Sequence, residues 1–150
     1  MDRRRPESKK FYKRKRHIPK KGTAFICAPF TGEIFNNVCA AVVIARRAHA
    51  AGYSAIIPHL NFLYLNPHDP QEAGAAIKYC LDVIPKCEVF IYSSAAGVTK
   101  HMRAEIEKAE AEKIVIINAD NLPADKKTIN GECIGIIRKL IKTPFGGFEL

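Results

Sequence analysis

The chain has no apolar run long enough to cross a bilayer. Its first residues are charged and no apolar segment follows them, so a secretory signal is not expected. None of the five cysteines, Cys27, Cys39, Cys80, Cys87 and Cys133, falls in a CxxC pair, and no Cys/His group has zinc-finger spacing. No metal site is therefore expected. Most of these thiols lie in apolar runs, where a thiol behaves as a small hydrophobe, and a reducing cytoplasm is the natural compartment. No GxGxxG follows the first strand-like run and no GxxxxGK[ST] occurs, which counts against an ordinary dinucleotide or triphosphate site.

Acidic residues are scarce at the start of the chain. Residues 1–22 hold eleven of the 24 Lys and Arg but only Asp2 and Glu7 of the 15 acids, so this segment carries the whole net charge of +9. The other 13 basic and 13 acidic residues cancel. A stretch so poor in apolar residues cannot offset the entropy of ordering, so residues 1–22 read as a disordered basic tail. Its charge suits nucleic acid or another anionic surface, and suits a merely solubilising tail equally well. Residues 23–143 read as one α/β domain, a length that fits a single core, and residues 144–150 as a short tail.

Within that domain short apolar runs alternate with amphipathic stretches. Strands are expected at 23–28, 54–58, 88–93 and 113–118, with helices over 34–51, 71–84, 99–112 and 128–142. Gly52 should end the first helix, and Asp69-Pro70 should start the second. Residues 59–70 read as loop. Continuous apolar strands separated by helices predict a Rossmann-like three-layer sandwich with a four- to five-stranded parallel sheet. Right-handed crossovers then gather "PFTGE", "PHLNF", "SSAAGVTKHM" and "NADNL" at one edge, where such sheets bind ligands.

That edge offers Thr31, Gly32, Ser93, Ser94 and Thr99 ahead of helix N-termini. Hydroxyls and free backbone N–H groups there suit a phosphate or sugar oxygen; Gly and Ser are also ordinary turn residues. In "TKHMRAEIEKA" the apolar surface of the helix is expected from Ala104, Ile106, Ala109 and Ala111, with Glu105 at its edge. Glu107 lies about 200° further round and should face water. His59 has two readings, a ring packed beneath the strand edge or a hydrogen bond to a ligand or to Glu105. Phe25, Phe30, Phe62 and Tyr64 read as core and loop packing, with Phe30 also a candidate for stacking on a base.

"FICAPFTG", then Asn37, "GYSAIIPHL", "CLDVIPKCEVFIY" and "TKHMRAEIEKA" occur in that order over about residues 23–118. Together they resemble the nucleoside 2-deoxyribosyltransferase-like superfamily, in particular its small phage and bacterial members. The resemblance implies a parallel sheet that binds a nucleoside or nucleoside 5′-monophosphate and acts on its N-glycosidic bond without a metal or organic cofactor. Glu105 stands where active members carry the glutamate that attacks the anomeric carbon. An oxocarbenium-like transition state needs an adjacent anionic oxygen, and a carboxylate can trap it as a glycosyl ester. Thr31, Asn37, Ser94 and Thr99 would hold sugar or phosphate oxygens. Pro29, Gly32, His59, His101 and Met102 fall at further motif positions and join the substrate-binding set. A homodimer or larger homo-oligomer is implied as well.

The chain departs from that pattern in three places. Phe25 matches a tyrosine that positions the nucleophile, Cys80 matches a catalytic aspartate, and His101 replaces a glycine. These departures motivate an alternative, a nucleotide-sensing or sequestering module that keeps the pocket without the chemistry.

Overall fold

A computed structural model describes residues 22–29 and 34–123. The basic tail up to residue 21, the loop holding Phe30, Thr31 and Gly32, the expected last helix over 128–142 and the tail at 144–150 lie outside the described residues.

Four strands are present among the described residues: β1 (Thr23–Cys27), β2 (Ser54–Ile56), β3 (Val89–Tyr92) and β4 (Val115–Asn118). They form one all-parallel sheet in the order β2-β1-β3-β4. The helices are α1 (Ile34–Ala50), a short α2 (Pro58–Asn61), α3 (Pro70–Val83) and α4 (Lys100–Ala111), with single 3-10 turns at Ile84–Lys86 and Ala119–Asn121. This is the expected Rossmann-like α/β sandwich. Among the described residues α2 and the turn at Ala119–Asn121 are new, each inside an expected loop. Pro58 supplies the first turn of α2, and Phe62 N–H closes on Pro58 O at 3.0 Å.

Strand alternation divides the core into two layers. Ala24, Ile26, Val89 and Ile91 face α1, whose Ala41, Ile44, Ala45 and Ala48 recur at helical spacing and let the helix sit close to the sheet. Phe25, Cys27 and Phe90 face the other way, against Cys80 and Ile84 at α3 and Met102 and Ala109 of α4. Phe25 and Phe90, neighbours across β1 and β3, stack with ring centroids 5.4 Å apart. Each such fully buried side chain stabilises the fold by roughly 1.5–3 kcal/mol.

Local chemistry sets the helix ends. Asp69 Oδ1 accepts from the N–H groups of Gln71 and Glu72 at 2.8 and 3.2 Å, ahead of Pro70. Gly52, at φ 98°, closes α1: its N–H reaches His49 O, and Tyr53 N–H reaches Ala48 O. The same pair of bonds ends α4, from Lys113 to Glu110 and from Ile114 to Ala109, but here Lys113 takes the left-handed position at φ 56°.

Candidate functional site

The order β2-β1-β3-β4 places a switch between β1 and β3: the chain moves to one side after β1 and to the other after β3. A crevice at such a switch, outside the carboxyl ends of the strands, is where open parallel sheets take ligands. The last paired row across the sheet is Cys27, Tyr92 and Asn118. Beyond it the strands lead to Pro29, to Ser93 and Ser94, and to Asp120.

Glu105 approaches this row from α4. Thr99 caps the helix, accepting from Met102 N–H at 3.3 Å, and so sets the helix phase. The face turned to the core is Met102, Ile106 and Ala109, with half-buried Glu105 within the same stripe. Ala104 and Ala111, expected in that surface, are exposed instead, because the stripe runs through positions three and four apart from Met102. Glu107 is exposed, as expected.

The thiols of Cys27 on β1 and Cys80 on α3 lie beside the Glu105 carboxyl, where their polarity favours its charged form. Burial pushes this carboxyl up to about 7, and donation from the two thiols only partly offsets it. The thiols respond in kind. Burial, with the Glu105 charge beside it, pushes Cys80 up to about 12 and drives Cys27 far above the ordinary thiol range. Both cysteines are therefore neutral donors and not nucleophiles. A cavity of about 10 Å³, room for about one water, opens beside Glu105 between Ala76, Cys80 and Leu81 of α3 and His101 and Ala104 of α4.

A second group lies at the end of β2. His59 Nε2–H donates to Pro29 O at 2.7 Å, tying the start of α2 to the segment after β1. The ring is buried, and burial lowers its basicity against the pull of that carbonyl. His59 and Asn37 also line a cavity of about 180 Å³ walled by Val38, Phe62, Leu63 and Leu65. This volume is below that of a whole drug-sized ligand, and an apolar wall with two polar groups suits part of one.

A third group joins β3 to β4. Asp120 accepts from Ser93 Oγ at 2.8 Å, from Ser94 Oγ at 3.0 Å and from Ser94 N–H at 3.3 Å. Asn118 Nδ2 donates to Ser94 Oγ at 2.9 Å. Arg47 of α1 stands 3.9 Å from the carboxylate and donates to Ala119 O at 3.1 Å. Donation from Ser93, then from Ser94, with the Arg47 charge beside them, holds the Asp120 carboxyl below its usual range.

The sequence-derived candidates thus divide. Glu105 and His101 share the small cavity; Asn37 and His59 line the other, with Pro29 bound to His59; Ser94 lies just beyond the end of β3. The Thr99 hydroxyl serves as a helix cap, and Met102 is a core side chain with 1% of its surface exposed. Thr31 and Gly32 lie outside the described residues. Phe25, the position matched to a tyrosine, is sealed against Phe90, and the β1 side chain that reaches Glu105 is Cys27, two residues on along the same face. Strand alternation carries that signal, since Phe25 and Cys27 share parity. Asp120 was legible only as part of the edge loop "NADNL", and Arg47 as one charge on a helix.

The fold and its strand order define a Rossmann-like α/β domain. Residues 22–119 match the family described as "Domain of unknown function (DUF7768)", and the chain belongs to that family. The matched span contains Cys27, His59, Cys80, Ser94 and Glu105 and stops one residue short of Asp120. No curated protein matches the chain. Among the described residues no helix is long and apolar enough to cross a membrane, and no three His, Cys, Asp or Glu side chains group as a metal site.

Proposed function

We propose that this domain cleaves or transfers the N-glycosidic bond of a nucleoside or nucleoside 5′-monophosphate, with Glu105 as nucleophile. The observation that carries this reading is the Glu105 carboxyl, held by two thiols from β1 and α3 beside the switch between β1 and β3. A purely structural surface glutamate has no need of such burial, and a carboxyl shifted to about 7 is common where carboxylates do chemistry. The resemblance in the sequence assigns the same residue.

In this reading an ionised Glu105 oxygen forms a bond to the anomeric carbon as the bond from that carbon to the base nitrogen breaks. The bonding pair leaves on that nitrogen, which takes a proton from water. Water then attacks the anomeric carbon of the glycosyl ester, releasing the sugar and the Glu105 carboxylate, or a second base accepts the sugar in its place. The thiols of Cys27 and Cys80 donate to the carboxylate and fix its orientation. The small cavity beside it has room for about one water, so this reading requires the sugar to reach Glu105 from the strand ends.

The test is chromatography of free base released from a panel of nucleosides and monophosphates, with Glu105→Ala as comparison. Turnover by the wild type that disappears in the variant supports the reading; no turnover, or turnover equal in the variant, removes it.

A second reading is a nucleotide-binding module without turnover. It is favoured by Cys80, a neutral thiol where the resemblance calls for an acid, and by Phe25, locked against Phe90 without a hydroxyl. Ligand stabilisation in a thermal melt, with the ligand recovered intact, distinguishes it from catalysis.

A further inference from the structure

The donors at the end of β3 are already occupied. Two serine hydroxyls and one backbone N–H, from Ser93 and Ser94, all converge on the Asp120 carboxylate at 2.8 to 3.3 Å. Asn118, the last residue of β4, holds both sides in place: its Nδ2 donates to Ser94 Oγ, and its Oδ1 accepts from Asp120 N–H at 3.0 Å. Arg47 supplies the nearby positive charge. Hydroxyls, a backbone amide and a guanidinium around acceptor-only oxygens are the partners that a phosphate group would take. Here the protein supplies the anion itself, at the strand ends beside the switch.

This has opposite consequences for two kinds of ligand. A phosphate arriving at Ser94 must displace Asp120 or lie against its charge, and like charges at contact distance repel. A sugar hydroxyl gains instead, because a carboxylate has about four lone-pair positions and three bonds leave one for a further O–H donor. Ser94 also lies beyond the same end of the sheet as Cys27, the neighbour of Glu105. Cys27 pairs with Tyr92, the last residue of β3, and Ser94 follows two residues later in the segment beyond that strand.

We propose that Asp120 is a specificity-determining residue that fills the anion-binding position at the end of β3, so that the crevice takes an uncharged, hydroxyl-bearing ligand and rejects a phosphorylated one. Resting on the glycosidic reading above, the substrate class becomes the free nucleoside and not its 5′-monophosphate.

The test uses inorganic phosphate and no nucleoside, so its outcome is separate from that of the catalytic reading. The amide resonance of residue 94 is followed by NMR during phosphate titration of the full chain at constant ionic strength. Wild type, Asp120→Asn and the double variant Asp120→Asn/Ser94→Ala are compared, with Asp120→Ala as a second way of removing the charge. Removing the charge should tighten phosphate binding at residue 94 by about tenfold or more, and adding Ser94→Ala should reverse much of that gain. Equal titration of wild type and both Asp120 variants, whether all bind or none does, overturns the proposal. So does a gain that Ser94→Ala leaves intact, since the phosphate would then be bound elsewhere.

Discussion

The carboxyl of Glu105 on α4 and the thiol of Cys80 on α3 are neighbours beside the carboxyl end of β1, with the thiol of Cys27 next to them. An acid enclosed by two neutral donors is stabilised less than it would be by water, so it keeps its proton to a higher pH.

That relationship makes stability depend on pH. The folded carboxyl, at about 7, lies above its ordinary value of 4.5, so the folded state holds an extra proton between those limits. The contribution is full below about 4.5 and is lost as pH rises through about 7, on the order of 2–3 kcal/mol. Buried His59 acts in the opposite sense, since its lowered basicity favours folding as pH rises. Glu105→Gln isolates the first effect. Urea unfolding at pH 5 and pH 8 should show the wild type losing on the order of 2–3 kcal/mol relative to the variant across that interval. Equal pH dependence in the two proteins would place the carboxyl in water.

The two thiols should tune the acid by donation. Cys80→Ser offers a stronger donor and should lower the Glu105 pKa, while Cys80→Ala removes a donor and should raise it. The carboxyl carbon resonance of Glu105, followed against pH, reads both directions. A shift in the same direction for the two variants would mean that packing, not donation, sets the value.

Base release, on the proposed chemistry, requires the ionised carboxylate. Its rate in the wild type should therefore climb as pH rises through about 7 and level off above it. Cys80→Ser should move that climb to lower pH. A rate independent of pH from 5 to 9 would separate Glu105 ionisation from the reaction.

Phe25 offers a direct check on the site geometry. Its ring has none of its surface exposed and stacks on Phe90. Phe25→Tyr should therefore cost roughly 1–3 kcal/mol by burying a hydroxyl among apolar neighbours, with no gain in base release. Phe90→Ala should cost roughly 3–5 kcal/mol. A Phe25→Tyr protein as stable as the wild type, with faster turnover, would place the hydroxyl against Glu105 after all.

Lys113 ends α4 in the left-handed region, where a side chain crowds the backbone. Lys113→Gly should raise stability by about 1 kcal/mol, read from the denaturation midpoint, while Lys113→Ala should not.

The local pattern of the chain was enough for the layers of the fold. The continuous apolar runs "TAFIC" and "VFIY", Asp69-Pro70 and Gly52 each specify structure through contacts a few residues apart, and they recur in the strands and caps observed. The sequence also distinguished Glu105 from Glu107, because helical phase is a local property. It could not show that Glu105 rests on Cys27 and Cys80, which are 78 and 25 residues away in the chain. Nor could it show that Asp120 answers Ser93 and Ser94 across β3 and β4. Those partners are chosen by sheet order and by the packing of α3 and α4 on one face. A cysteine in an apolar run looks the same whether its thiol meets a methyl group or a carboxyl. Only the tertiary structure decides which, because the energy of a buried charge depends on neighbours that the chain brings from far away.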